Sequence, residues 1–154
     1  KDNIVYAIEK AVSLKAKIVE NDEKEQGERA KLNYGHTFCH IVESQSEYKT
    51  YLHGEAVAIG MVMANVLARD LELISNKDFD KILSLIKSYN LPTNYAILSI
   101  DEFYNAFFLD KKSSNGKISF ILPTSIGSCI IKDDISTIQI VKSLQNYKNN
   151  YSII

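Results

Sequence analysis

Three histidines, His36, His40 and His53, fall within 18 residues of a 154-residue chain. His36 and His40 stand at i, i+4. On a helix that spacing brings two imidazoles within reach of one metal ion or one anion. At about 100° per residue, a helix running through this region places Arg29, Asn33, His36 and His40 in a stripe roughly 60° wide. The stripe is too polar for a core face and unusually rich for a solvent face, while Phe38, Ile41 and Val42 occupy the other side and anchor the helix. Gly35 directly precedes His36. A glycine inside a helix costs about 1 kcal/mol relative to alanine, so it points to close approach of a ligand or another backbone. His53 opens another helix, where unsatisfied N–H groups and the positive end of the dipole favour an anion. Each feature has a plainer explanation: a solvated histidine pair, an Arg29 ion pair with Glu25 or Glu43, a glycine that relieves crowding. Their coincidence on one stripe favours function.

The elements that must carry these residues follow from periodicity. Ile4, Val5, Ile8, Ala11, Val12 and Val19 predict an amphipathic first helix from Asp2 to about Glu20, with Lys15 on it. A polar loop, 21–27, leads into the predicted second helix, 28–46. The third runs from His53 to about Leu73 and is apolar nearly all round through Ala64, as a central buried helix is. Ser75 or Asn76 caps a fourth, with Phe79, Ile82, Leu83 and Ile86 inward, ending before Pro92. Ser99 and Glu102 form a capping-box pattern for a short fifth helix, 100–111. After a turn at 113–116, two β-branched-rich runs, 117–122 and 128–132, read as a hairpin. A last helix covers about 136–149. The fold class is therefore mainly α, a multi-helical domain with one small β-hairpin near residues 117–132.

Composition removes several functions. The 18 Lys+Arg nearly balance the 19 Asp+Glu, for a net charge of -1. A nucleic-acid module normally carries a basic excess or a basic face. The longest apolar run, Ala56 to Ala64, has nine residues, far short of a membrane span. The chain start lacks signal-peptide anatomy, and two cysteines, Cys39 and Cys129, cannot build a disulfide framework, so a cytoplasmic protein is expected. No GxGxxG, P-loop, GxSxG or HExxH motif is present.

Three blocks are more specific. Lys15 to Arg29 (KAKIVENDEKEQGER), Leu32 to Glu43 (LNYGHTFCHIVE) and Leu52 to Met61 (LHGEAVAIGM) resemble the signature blocks of the 3-dehydroquinate synthase family. Asp110-Lys111-Lys112 and Ile121-Leu122-Pro123 continue the pattern. The resemblance implies that residues 1–154 are the helical C-terminal domain of such an enzyme, without its N-terminal NAD-binding domain. The implied reaction converts 3-deoxy-D-arabino-heptulosonate 7-phosphate to 3-dehydroquinate and phosphate, by NAD-dependent oxidation, phosphate elimination, reduction and aldol cyclisation, within aromatic amino-acid (shikimate) biosynthesis. The implied cofactors are NAD, bound mainly by the N-terminal domain, and a divalent metal, zinc or cobalt.

Matched position by position, the resemblance makes His36 and His53 metal ligands. It places the family's third ligand, a glutamate, upstream of Lys1. Glu25 and His40 match catalytic positions. Lys15, Arg29 and Asn33 match substrate contacts, as does one lysine of Lys111 and Lys112, with Lys111 favoured. Cationic side chains and an amide suit a keto acid phosphate, which carries a carboxylate and a phosphate. Cys39 stands where the family usually has a small residue, commonly glycine, and is expected to be a packing adjustment. The implied partners are that small-molecule substrate and the N-terminal domain, with room for a homodimer and no nucleic acid or membrane. Alone, the domain is expected to hold metal weakly, through two histidines plus water, and not to turn over. Two alternatives stand beside this: another sugar-phosphate cyclase, such as a 2-deoxy-scyllo-inosose synthase, and a non-catalytic helical interaction module.

Overall fold

The longest apolar run of the chain, Ala56 to Ala64, lies in its central helix. In the computed structural model, which describes residues 2–24, 27–109 and 117–151, helix α3 spans His53–Asp70. Eleven of its residues are buried, from Ala56 to Ala68. The described chain falls into two compact units, Lys1–Asn33 and Tyr34–Ile154, and they are taken in turn.

The first unit holds helix α1, Asp2–Asn21, and a 3₁₀ helix, Glu28–Asn33. Asp22 organises the link between them. Its Oδ2 accepts from the N–H of Gly27 at 2.8 Å and of Arg29 at 3.0 Å, so one carboxylate satisfies two donors at the start of the 3₁₀ turn. The apolar stripe of α1 lies open: Ile4, Val5, Ile8 and Val12 are each more than half exposed.

In the second unit α3 is surrounded by α2 (His36–Gln45), α4 (Asn76–Ser88), α6 (Thr137–Tyr151) and the first strand of a hairpin. Helix α5, Ile100–Leu109, packs on α2 and α6. Ser75 caps α4, its Oγ accepting from the Asp78 N–H at 3.1 Å. Ser99 does the same for Glu102 at the start of α5, at 3.2 Å. Strands β1, Phe120–Ser125, and β2, Ser128–Lys132, pair antiparallel, with a register shift between Pro123 and Ser125. The first strand starts three residues later than its β-branched pattern suggests, at Phe120, which pairs with Lys132 and is buried in the core. There it meets Phe38 and Phe107 at ring distances of 5.4 Å. Arg69 lies over the Phe79 ring at 4.2 Å, which ties α3 to α4. No helix among the described residues is long and apolar enough to cross a membrane.

The largest departure from expectation lies between 28 and 46. The predicted single helix is two: the 3₁₀ helix ends at Asn33, and α2 begins at His36. Gly35 sits between them at φ +83°, left-handed backbone that glycine adopts without strain. It is thus an N-cap and not a mid-helix residue. The helical stripe consequently holds for His36 and His40 only, and α-helical periodicity says nothing of Arg29 and Asn33.

Candidate metal centre

Helices α2 and α3 cross at a pair of glycines. A Cβ added to Gly60 would stand 2.2 Å from the Gly35 carbonyl oxygen and 2.9 Å from the Cys39 nitrogen. One added to Gly35 would meet the Met61 nitrogen at 2.8 Å. Only hydrogen fits at either place. The Gly35 carbonyl meanwhile accepts from Cys39 N–H at 3.0 Å, the first hydrogen bond of α2. Tyr34, one residue earlier, donates its hydroxyl to Asn65 Oδ1 of α3 at 2.7 Å. Burial pushes the Tyr34 phenol well above its ordinary range, against the smaller opposing effect of that bond. The start of α2 is thereby fixed against α3 by sterics and by a buried hydrogen bond.

This junction brings the three histidines together. The His36 ring centroid lies 5.6 Å from that of His53 and 5.9 Å from that of His40. His36 Nδ1 lies 3.4 Å from the Tyr34 carbonyl. His53 is the first residue of α3, whose N-terminus is closed by Glu55 reaching back to the Leu52 N–H at 2.8 Å.

Glu43, on the same helix as His36 and His40, supports two of the rings. Only 8% of it is exposed. Its Oε1 lies 2.8 Å from His53 Nδ1 and its Oε2 lies 3.3 Å from His40 Nδ1. Burial works to raise the Glu43 carboxyl, but hydrogen bonds from His53, His40 and Cys39 outweigh it and hold it below the usual carboxylate value. Glu43 is therefore ionised at neutral pH and accepts from its neighbours.

Two imidazoles converging from two helices are a donor set suited to zinc or cobalt, which take histidine nitrogen readily. The carboxylate behind His53 matches the usual support of a ligating histidine. A second grouping, Cys39, Glu43 and His53, also has ligand atoms within 4.8 Å of one another. Its chemistry is different. Cys39 is wholly buried and hydrogen-bonds Glu43, and both Glu43 oxygens already face imidazole nitrogens, so these three form a hydrogen-bonded chain.

The other residues singled out from the sequence lie in different settings. Lys15 is exposed on α1. The Arg29 guanidinium donates to the Glu23 carbonyl at 2.6 Å, and Asn33 ends the 3₁₀ helix. Both belong to the first unit. Glu25, Lys111 and Lys112, with the turn at 113–116, lie outside the described residues. Sequence reasoning passed over Glu43 as a site residue, although a signal existed. On α2 the positions 36, 40 and 43 fall on one face, and Glu43 follows two apolar residues, Ile41 and Val42.

Comparison with known proteins gives consistent relatives. A model of the 3-dehydroquinate synthase C-terminal family matches residues 1–113. The chain is 52% identical over 147 residues to a 3-dehydroquinate synthase of a Nitratiruptor species, covering 96% of this chain and 42% of that one. It is 56% identical over 131 residues to the 3-dehydroquinate synthase of Sulfurimonas denitrificans, covering 85% and 38%. The chain thus spans about 40% of the length of these relatives. Among solved structures it is similar to a 2-epi-5-epi-valiolone synthase from Streptomyces hygroscopicus with NAD⁺ and Zn²⁺ bound. There the TM-score is 0.80 at 24% identity, with 94% of this chain and 40% of that chain covered. A 2-deoxy-scyllo-inosose synthase complexed with carbaglucose-6-phosphate, NAD⁺ and Co²⁺ follows, with TM-score 0.74 at 21% identity, covering 88% and 40%. At those identities the two structures establish the fold.

Proposed function

Because this chain belongs to the 3-dehydroquinate synthase C-terminal family, we propose that it forms the metal- and substrate-binding part of such a synthase. The rest of that enzyme would supply the NAD site and the third metal ligand. The observation that carries the reading is the convergence of His36 and His53, from separate helices, to a ring distance of 5.6 Å with a buried carboxylate behind one of them.

His36 and His53 would hold the divalent metal, zinc or cobalt. Such an ion would supply Lewis-acid chemistry toward a substrate hydroxyl, and NAD, held by the rest of the enzyme, would supply redox chemistry. The residues of this chain do the rest. His40, held by Glu43, would serve the phosphate end of the substrate. Lys15, Arg29, Asn33 and one of Lys111 and Lys112 would bind its anionic groups, and Glu25 would orient a hydroxyl. Charge-assisted bonds to carboxylate and phosphate are about twice as strong as neutral ones, which suits this residue set. The reading places the protein in the cytoplasm. It allows a homodimer, which sedimentation would test.

The decisive experiment is a zinc or cobalt titration of the chain, followed through the imidazole resonances. Perturbation of His36 and His53 supports the reading. Their indifference to either metal would leave a helical interaction module as the better account. Turnover is then assayed in the intact synthase and in this chain, with the heptulosonate phosphate and NAD. Cyclisation by this chain alone would overturn the proposal that it is one part of a two-part machine. Preference for glucose 6-phosphate, which has no carboxylate, would move the assignment to a 2-deoxy-scyllo-inosose synthase type of cyclase.

A further inference from the structure

We infer that Glu43 is a positioning residue which sets the tautomers of His40 and His53 together, so that both rings present Nε2 away from it. The inference rests on the metal-binding reading given above, but its first test does not.

The argument is one of donors and acceptors. An ionised carboxylate can only accept. Glu43 lies 2.8 Å from His53 Nδ1 through one oxygen and 3.3 Å from His40 Nδ1 through the other. Each of those nitrogens must therefore carry the hydrogen. In a neutral imidazole that puts the lone pair on Nε2, across the ring from Glu43. One buried side chain thus dictates the protonation pattern of two rings, and both rings also stand with His36, 5.6 and 5.9 Å from it. For His53 this leaves Nε2 as the metal donor. For His40 it leaves Nε2 as an acceptor when neutral, and a donor toward an anion when protonated. Cys39 also hydrogen-bonds the same carboxylate.

Glutamine at position 43 has nearly the same shape but the wrong hydrogens. Its carbonyl can serve one ring as before. Its NH₂ must donate toward the other, whose Nδ1 then carries the lone pair and whose Nε2 carries the hydrogen. Such a ring cannot ligate metal through Nε2 without first changing tautomer.

The test uses ¹⁵N-histidine-labelled chain without metal. Long-range ¹H–¹⁵N spectra, taken where the rings are neutral, report the tautomer of each. In the unaltered chain His40 and His53 should both show Nδ1–H. In Glu43→Gln at least one of them should shift substantially to Nε2–H, with His36 unmoved. Cobalt titrated into the same two proteins should bind about 10–100-fold more weakly to the Gln variant, the usual cost of losing a carboxylate behind a ligating histidine. Predominant Nε2–H at His53 in the unaltered chain would overturn the inference. So would a Gln variant with unchanged tautomers and cobalt affinity. If Glu43→Gln does not fold, the spectrum of the unaltered chain still decides. If neither protein binds cobalt while the tautomers behave as expected, the metal-binding reading fails and the role of Glu43 toward its two histidines stands.

Discussion

Gly60→Ala tests whether the glycine crossing is what brings the histidines together. In an isolated helix this change is favourable by about 1 kcal/mol, because alanine has far higher helix propensity. Here the new Cβ would lie 2.2 Å from the Gly35 carbonyl oxygen, where contacts below 3.0 Å essentially never occur. The two helices must separate by roughly 0.8 Å or tilt, and the obstructing atoms are backbone, which cannot rotate aside. Overpacking of this kind costs about 1–3 kcal/mol, with backbone obstruction toward the upper end. The clash outweighs the propensity gain, leaving a net loss of about 2 kcal/mol. For a domain of this size that is a fall in Tm of roughly 4–8 °C.

The same displacement reaches the site. His36 follows Gly35 directly, so a shift of α2 against α3 moves its ring relative to that of His53. Misplacement by about 1 Å costs on the order of 100-fold where two groups must act at one point. Differential scanning calorimetry and cobalt titration of Gly60→Ala therefore read two consequences of one contact. Gly54→Ala is the control, because a Cβ there meets nothing within 4 Å; its Tm should hold or rise. A Gly60→Ala protein as stable as the original, with unchanged cobalt affinity, would refute the steric argument.

Tyr34→Phe should cost about 1–3 kcal/mol, because it leaves the buried Asn65 oxygen without its 2.7 Å donor; thermal melts check this. Tyr34 also predicts a pH dependence. Its folded pKa is raised above the ordinary 10.0, so its contribution is complete below pH 10 and is lost as pH climbs beyond that value, where the unfolded chain ionises first. Urea midpoints measured from pH 8 to 11 should fall more steeply in the original protein than in Tyr34→Phe; equal slopes would count against a buried, protonated phenol. The proposed function predicts that Arg29→Ala in the full-length protein raises KM for the heptulosonate phosphate by about 10–100-fold, the value of a hydrogen bond to a charged group. A change in Tm with KM intact would instead make Arg29 a brace for the loop carbonyl of Glu23.

Much of this architecture is legible in the sequence, for identifiable reasons. Helix α3 was visible because nine apolar residues in a row have nowhere to go but inside, and α4 because Ser75 caps it and Phe79 and Ile86 repeat at helical spacing. The break at Gly35 was not visible. Periodicity from Arg29 to His40 is compatible with one helix or two, and glycine adopts left-handed backbone at no cost, so nothing in its identity marks the sign of φ. What decides is tertiary: Gly35 must let its carbonyl meet the face of Gly60, 25 positions on, and no local pattern records that. The open face of α1 is a related case. Its stripe of Ile4, Val5, Ile8 and Val12 predicts a helix correctly, but periodicity cannot say what covers the stripe.

The site shows why specific spacing outperformed general periodicity. Gly35 contacts Gly60, and Glu43 contacts His53, so α2 and α3 run antiparallel and are joined at two points. Gly60 lies seven residues after His53, about 10.5 Å along α3, and Glu43 lies eight after Gly35, about 12 Å along α2. One point of contact is steric and admits only hydrogen; the other joins a carboxylate oxygen to an imidazole nitrogen at 2.8 Å. A two-point attachment fixes both the separation and the rotation of a helix pair, which a hydrophobic seam alone leaves free to slide. The blocks LNYGHTFCHIVE and LHGEAVAIGM therefore encode a single object, since each supplies half of each contact. Reading them as two motifs finds the histidines, and reading them as one clamp also finds Gly60 and Glu43.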